Sequence, residues 1–229
     1  MKDVVIIDGV RSPIGAYGGA LSSIRPDDLL ADVLKGLVTR TNINPQDVSE
    51  VYAGCGNQSG EDNRDVARMS ALLAGFPTSV PGVTINRNCS SALDAINLAA
   101  KLIQVGDGEM YIGSGVECMS RAPWSVPKPE KVPTFTAPRM WDTTVGWRYN
   151  NPKMDALYPI ISLGETAENI ADEMQITREE QDVFAVESHR RAVDALNAGR
   201  FKNEVLPIEV SGRKGMTIVD TDEHPRYRR

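Results

Sequence analysis

The stretch Val83–Val105, VTINRNCSSALDAINLAAKLIQV, decides the fold, because it joins a short β-branched run to a long apolar helix through a polar turn. Apolar residues at helical spacing predict a helix over Ser90–Val105, ended by Gly106. Cys89 lies at the start of this helix, where unpaired backbone N–H groups stabilise a thiolate and make the sulfur nucleophilic. The alternative interpretation is that Cys89 is a small buried hydrophobic residue.

Strands and helices alternate on both sides of this stretch. The predicted strands are Val4–Ile7, Val48–Cys55, Val83–Ile85 and Met110–Ile112, and the predicted helices before Cys89 cover about Pro26–Val38 and Asp65–Ala74. Val4–Ile7 is apolar throughout and is expected to be buried on both faces. The alternation predicts a parallel sheet covered by helices, with any site along the edge where the strands end.

The composition changes near residue 121, which we take as a domain boundary. Seven prolines and all three tryptophans lie between Arg121 and Pro159, a pattern typical of an extended, loop-rich segment. Thr177-x-x-Glu180 is a capping box that predicts a helix to about Ala198. Two strands are predicted after it, at Val205–Val210 and Thr217–Val219, joined by a turn at 212–215.

Composition excludes several classes of function. The chain has 229 residues and a net charge of −6, which argues against a nucleic-acid partner. No apolar run approaches the roughly 18 residues of a membrane helix, and no signal peptide follows Met1, so we expect a cytoplasmic protein without a membrane partner. Cys55, Cys89 and Cys118 form no CxxC pair, so no metal site is predicted.

Several motifs resemble the thiolase family, whose members transfer acyl groups between coenzyme A and a carbon or sulfur acceptor. Asn86–Ala95, NRNCSSALDA, resembles the nucleophile motif of the family. Further resemblances, in chain order, are VRSPIG at Val10–Gly15 to the R-T-P-x-G turn, GSGVECMS at Gly113–Ser120 to the G-G-x-E-S-M-S signature, GETAEN at Gly164–Asn169, TREEQD at Thr177–Asp182 and VDTDE at Val219–Glu223. The resemblance spans the whole chain.

The resemblance implies a thiolase-like α/β fold. Residues 1–120 would form the N-terminal thiolase domain, a parallel-rich sheet with helices that carries Cys89, and residues 121–229 an incomplete loop domain that covers coenzyme A. Cys89 would attack the keto carbon of a 3-oxoacyl-CoA, release acetyl-CoA and pass the acyl group to free CoA; the reverse direction makes a carbon–carbon bond. CoA is then a substrate, and no cofactor is expected.

The resemblance also implies binding residues. Arg226 aligns with the arginine that reaches the nucleotide end of CoA, although a solvated basic tail with Arg228 and Arg229 is the competing interpretation. Leu163 and Gly164 correspond to the loop that lines the pantetheine and acyl pocket. Many biosynthetic members carry His-Met where this chain has Ser162-Leu163, which disfavours a strict acetoacetyl-CoA enzyme. Asn57–Arg64 and Asp142–Arg148 resemble degradative and 3-oxoadipyl-type members, so we expect CoA thioesters of fatty acid metabolism or β-oxidation as ligands.

Two departures from the family pattern concern the catalytic histidine and the second cysteine. His189 and His224 are the only histidines, and neither lies in the family's histidine motif. The chain therefore resembles an N-terminal half, inactive by itself, and we expect a C-terminal thiolase half in the same or a companion chain and a homodimer or tetramer. Without that half, Leu93, Ile96 and Ile103 would face water at a cost of about 25 cal/mol per Å².

Three other functions compete with a thiolase. A dinucleotide-binding enzyme would need a third glycine after Gly113-x-Gly115. A decarboxylating ketosynthase would share the fold and the nucleophile but add two histidines. A non-catalytic CoA- or lipid-binding protein, or an assembly subunit, would use the fold without the chemistry. Selective alkylation of Cys89 by iodoacetamide separates an enzyme from the non-catalytic alternatives.

Overall fold

The computed structural model describes residues 2–129, 137–212 and 215–227, which form two compact units. Unit 1 contains Met1–Ala122 and Lys202–His224, and unit 2 contains Pro123–Phe201 and Pro225–Arg229. The elements in chain order are α1 (Pro26–Thr41), β1 (Glu50–Gly54), α2 (Val66–Leu73), β2 (Gly82–Ile85), α3 (Ser91–Val105), β3 (Tyr111–Gly115), β4 (Trp124–Ser125), β5 (Trp141–Asp142), α4 (Pro152–Asp155), α5 (Leu163–Met174), α6 (Arg178–Asn197), β6 (Ile208–Gly212) and β7 (Gly215–Val219).

The centre of unit 1 is a parallel three-stranded sheet in the order β2-β1-β3. Gly54 is paired with Ile85 on one side and with Gly115 on the other, so the three strands end at the same level. The loops that follow them therefore leave from a single edge, as the alternation of strands and helices predicted.

Helices cover both faces of the sheet, as parallel sheets require. Val51 and Ala53 point to a core shared with α1 and α2, whereas Tyr52 points to the opposite face and packs with Ala95 and Ala99 of α3. The approach of α3 to β1 is close, because a Cβ at Gly54 would come within 2.2 Å of the Ala92 nitrogen.

The β6–β7 hairpin belongs to unit 1, whereas the sequence grouped it with the residues after 120. Ile208 is buried against Leu21 and Leu29. Arg11 donates hydrogen bonds to both carboxylate oxygens of Asp222, at 2.7 and 3.0 Å, and one to Glu204 at 2.8 Å. These contacts link residues about 200 positions apart, which no local composition change signals. Arg213 and Lys214 of the predicted turn lie outside the described residues.

The predicted buried strand at Val4–Ile7 is wrong for this structure. The segment forms no strand, and the side chains of Val5, Ile6 and Ile7 are largely exposed, with Ile6 85% accessible. A buried strand needs a neighbouring strand with which to pair, and in the part of the chain that the structure describes no strand lies beside this run. The nearest β-type pairing follows the run, where Arg11 forms an isolated bridge to Val205.

Unit 2 is built from short strands and well-capped helices. Ser162 caps α5 and Thr177 caps α6, each in a capping box with the glutamate three residues later. The predicted helix from Thr177 is confirmed, but α5 was not predicted. Its signal was present as Ser162-x-x-Glu165 before an amphipathic run. In the described parts of both units, we find no helix that is long and apolar enough to span a membrane.

Candidate active site

Cys89 lies on the turn between β2 and α3, two residues before the first helical residue, and its side chain is exposed. This position matches the prediction, and the exposure argues against a buried hydrophobic role. The preceding residue, Asn88, has a φ of +50°, a left-handed conformation that asparagine tolerates better than most residues. The turn therefore presents Cys89 at the N-terminus of a 15-residue helix.

Two side chains fix the shape of this turn. The Asn86 Oδ1 atom accepts a hydrogen bond from the Asn88 N–H at 2.9 Å. The buried Ser91 hydroxyl accepts one from the Arg87 N–H at 2.7 Å and donates one to the Asn88 carbonyl at 2.6 Å. A turn whose backbone groups are paired in this way holds its residues in one conformation. The nucleophile candidate is thus attached to a preorganised support.

The loops after β1 and β3 meet at the same edge. Glu117 accepts hydrogen bonds from the backbone N–H groups of Gly56 and Asn57, at 2.8 and 3.3 Å. The Gly56 carbonyl accepts one from the Asn86 Nδ2 atom at 3.0 Å. Sequence reasoning did not assign a role to Glu117, Gly56 or Asn86, although each follows a predicted strand.

The three cysteines lie in different environments. Cys55 is buried, and its burial together with the nearby charges of Glu117 and Asp62 raises the pKa of its thiol to about 12. Cys118 is half-buried, and burial followed by the charge of Glu117 raises its pKa to about 11. Both thiols stay protonated near neutral pH, which agrees with a structural role. Of the three, Cys89 alone is exposed.

The predicted CoA-binding residues belong to unit 2, and Cys89 belongs to unit 1. Leu163 is the first residue of α5 and is 82% exposed, and a Cβ at Gly164 would have only Ser162 within 4 Å. Arg226 is exposed in an irregular segment, and Arg228 and Arg229 lie outside the described residues.

A cavity of about 690 Å³ lies in unit 1, between α1, the segment Asp8–Tyr17 and the residues from Ile112 to Arg121. Cys89 is not among its lining residues. Cys118 lines the cavity but is half-buried, so the exposed nucleophile candidate lies at the loop edge rather than in the cavity. Among the described residues, no three His, Cys, Asp or Glu side chains cluster as metal ligands would.

Comparisons with known proteins show the family to which this chain belongs. The family model described as "Thiolase, N-terminal domain" matches residues 4–229, and the chain therefore belongs to the thiolase family. The crystal structure of the acetyl-CoA acetyltransferase of Bacillus anthracis superposes with a TM-score of 0.85 at 38% identity, over 97% of this chain and 55% of that chain. The expected thiolase-like α/β fold, with the sheet and helices of the N-terminal half, is confirmed.

Curated relatives include thiolases named for two kinds of substrate. The beta-ketoadipyl-CoA thiolase of Pseudomonas aeruginosa is 49% identical over 226 residues, which cover 98% of this chain and 56% of the relative. The 3-oxoadipyl-CoA/3-oxo-5,6-dehydrosuberyl-CoA thiolase of Escherichia coli is 47% identical over 99% of this chain and 57% of its own length. An acetyl-CoA acetyltransferase of Thiocystis violacea is 39% identical. The chain spans about half the length of the curated relatives it matches.

Proposed function

We propose that this chain forms part of a thiolase that transfers an acyl group between coenzyme A and acetyl-CoA through an acyl-Cys89 intermediate. The observation that carries the proposal is the placement of Cys89: an exposed thiol on a fixed turn at a helix N-terminus, at the edge where three parallel strands end. Thiol nucleophiles are favoured at such positions, because the helix N-terminus stabilises negative charge on sulfur.

The reaction proceeds in two displacements. The Cys89 thiolate adds to the keto carbon of a 3-oxoacyl-CoA, and collapse of the alkoxide breaks the bond between the keto carbon and the α-carbon. The α-carbon takes up the electron pair and then a proton, and acetyl-CoA leaves. The thiolate of free CoA next attacks the acyl thioester, and the Cys89 sulfur departs as thiolate.

The chemistry also needs an acid or base for the α-carbon and donors aimed at the thioester oxygen. In thiolases, a histidine and a second cysteine from the C-terminal half supply most of these functions. We infer that residues beyond those present here supply them to this chain too, in the same or a companion polypeptide, and that the chain by itself does not complete the reaction.

An unpartnered face of α3 supports such a second half. Ala95 and Ala99 pack on the sheet, whereas Leu93 is 61% exposed, and Ile96 is 44% exposed although it lies beside Gly113 of β3. Leu93 and Ile96 are exposed as predicted, whereas Ile103 is half-buried. A helix with apolar residues on both sides is stable when both sides are covered. We propose that the remaining thiolase half covers Leu93 and Ile96, and that the assembled protein is a cytoplasmic homodimer or tetramer.

For the substrate, we propose a 3-oxoacyl-CoA whose acyl chain ends in a carboxylate, as in β-ketoadipyl-CoA. Support comes from the relatives named beta-ketoadipyl-CoA thiolase at 46–49% identity, against 39% for the acetyl-CoA acetyltransferase. A role in fatty acid β-oxidation is the alternative and rests on the family resemblance alone. We further propose that Arg226 contacts the nucleotide end of CoA and that Leu163 and Gly164 line the pantetheine and acyl pocket.

Trapping the acyl-enzyme tests the proposed function. The protein that contains this chain together with its second half is mixed with acetyl-CoA, digested and mapped by mass spectrometry. We expect one acetyl group on the peptide that carries Cys89, and none in the Cys89→Ser variant. Acetylation elsewhere, or none on a folded protein, would support the non-catalytic binding or assembly role. Comparing kcat/KM for β-ketoadipyl-CoA and acetoacetyl-CoA then tests the substrate class.

A further inference from the structure

We propose that Glu117 is a positioning residue for Cys89: its carboxylate holds the loop at Gly56 and Asn57 against Asn86, and Asn86 in turn holds the turn that carries Cys89. This inference rests on the proposed function, in which Cys89 is the nucleophile. Glu117 is not proposed to touch the reacting atoms. It acts through backbone groups and one intervening side chain.

The first link joins Glu117 to the loop after β1. Its two carboxylate oxygens are used separately, Oε2 by the Gly56 N–H at 2.8 Å and Oε1 by the Asn57 N–H at 3.3 Å. Hydrogen bonds to a charged acceptor are roughly twice as strong as neutral ones. The packing is close, because a Cβ at Gly56 would lie 3.2 Å from Oε2. Glu117 thereby fixes the position of the Gly56 peptide.

The second link joins that peptide to the Cys89 turn through a single amide. Asn86 donates from Nδ2 to the Gly56 carbonyl at 3.0 Å and accepts at Oδ1 from the Asn88 N–H at 2.9 Å. Asn88 is the left-handed residue that directly precedes Cys89. Since both ends of the Asn86 amide are engaged, a shift of Gly56 changes the support of the nucleophile turn.

Backbone pairing of the sheet ends just before the hydrogen bonds that link Glu117, Gly56, Asn86 and the Cys89 turn, which we call the relay. The Cys55 N–H donates to the Ile85 carbonyl and the Val116 N–H to the Gly54 carbonyl, each at 3.0 Å, so the pairing between strands continues into the first residues of the loops. Beyond those residues, hydrogen bonds of Glu117 and Asn86 join the three loops. The side-chain hydrogen bonds of the relay therefore continue the connection between the loops after the backbone hydrogen bonds of the sheet have ended.

Positioning and simple charge effects predict opposite results. As a nearby negative charge, Glu117 raises the pKa values of Cys55 and Cys118, so its removal should favour thiolates by electrostatics alone. As a positioning residue, its removal should instead loosen the turn at the helix N-terminus and disfavour the reactive form of Cys89. The sign of the effect on Cys89 thus separates the two roles.

The experiment measures the rate at which iodoacetamide alkylates Cys89 near neutral pH, by mass spectrometry of its peptide, in this chain. In Glu117→Gln, an amide NH₂ faces one of the two backbone N–H donors. We expect the rate to fall about two- to fivefold, the typical range of a favourable interaction with a helix terminus. Glu109→Gln is the matched control, because it removes an exposed carboxylate of unit 1 that pairs with Lys2, and the alkylation rate of Cys89 should stay unchanged in it.

Asn86→Ala provides a second test at an exposed side chain. We expect a similar loss of alkylation rate, and the double variant with Glu117→Gln should be no slower than the slower single variant, because both substitutions interrupt one relay.

If Cys89 of the unmodified chain reacts no faster than Cys55 and Cys118, the proposed function fails. If Cys89 reacts selectively but both single variants keep or exceed its rate, only the positioning role is overturned. Should Glu117→Gln unfold, as circular dichroism would reveal, Asn86→Ala decides.

Discussion

The two units of this chain form helices equally well but bury side chains very unequally. In unit 1, helices pack on both faces of a sheet and enclose three clusters of buried apolar residues. In the described part of unit 2, Thr143 is the one fully buried side chain, although α5 and α6 both begin with complete capping boxes. The comparison teaches that local signals decide where a helix starts, whereas burial depends on what lies against it.

Within unit 1, α3 also carries both buried and exposed apolar side chains. One side of the helix packs on the sheet through Ala95 and Ala99, whereas Leu93 is exposed and Ile96, at the border of the sheet contact, is partly exposed. Unit 2 repeats the pattern on α6, where Val183, Phe184 and Val186 are mostly exposed. We therefore expect stability to depend on unit 1, and the exposed apolar faces to matter when the second half of the thiolase is present.

The largest effect, on the free energy of unfolding, is predicted for a matched pair of Leu→Ala substitutions, one in each unit. Leu34→Ala on α1 removes a side chain that is 1% exposed and should lower the free energy of unfolding by about 2–5 kcal/mol. Leu157→Ala in unit 2 removes an exposed side chain and should cost less than about 0.5 kcal/mol. Urea denaturation measures both. Equal losses would contradict the unequal distribution of the core.

The next largest effect concerns the ion pair between Arg11 and Asp222, which joins the segment after the hairpin to the N-terminal part of unit 1. Arg11 lowers the pKa of Asp222 below its usual range, so the charged carboxylate stabilises the folded state above the ordinary aspartate value of about 3.9. That stabilisation is lost as the pH falls below this value and Asp222 is protonated in the folded state. Asp222→Asn should therefore cost about 1.5–3 kcal/mol near neutral pH and progressively less in acid.

Urea midpoints of the two proteins across that pH range check this prediction. The exposed Asp220→Asn is the control, and it should track the unmodified chain throughout. A difference for Asp222→Asn that persists undiminished in acid would show that the ion pair is not its cause.

A smaller effect is expected at the cap of α6. Thr177→Ala removes the hydroxyl that accepts from the Glu180 N–H and should destabilise the first turn by about 1 kcal/mol. Since α6 has no fully buried residue, the loss should appear as faster hydrogen exchange in α6 rather than as a lower global stability. Thr177→Ser keeps the hydroxyl and should exchange at the original rate. Faster exchange in α1 as well would mean that the two units unfold together.

The sequence predicted much of unit 1 because its signals are local. Pro26 with the two aspartates after it and Gly106 mark helix ends, and a β-branched run marks β2. Cys89 was placed correctly at the start of α3 for the same reason. The buried strand at Val4–Ile7 failed because burial of a strand depends on a neighbour, which an apolar composition does not specify.

The hydrogen bonds that hold the Cys89 turn could not be predicted from the sequence. Glu117 contacts a peptide 61 positions away, and Asn86 contacts one 30 positions away. Both contacts exist because three parallel strands end side by side, a fact of register that one sequence does not reveal. The roles of Arg226, Leu163 and Gly164 remain predictions from the family resemblance.

Competitive labelling of the three thiols tests the central claim most directly. A limiting amount of iodoacetamide is added to the chain near neutral pH, and the modified peptides are quantified. The account predicts that the peptide of Cys89 carries nearly all the label, while Cys55 and Cys118, held protonated by burial, react only after unfolding. Equal, slow modification of all three thiols, or labelling of Cys55 first, would contradict the assignment of Cys89 as the nucleophile.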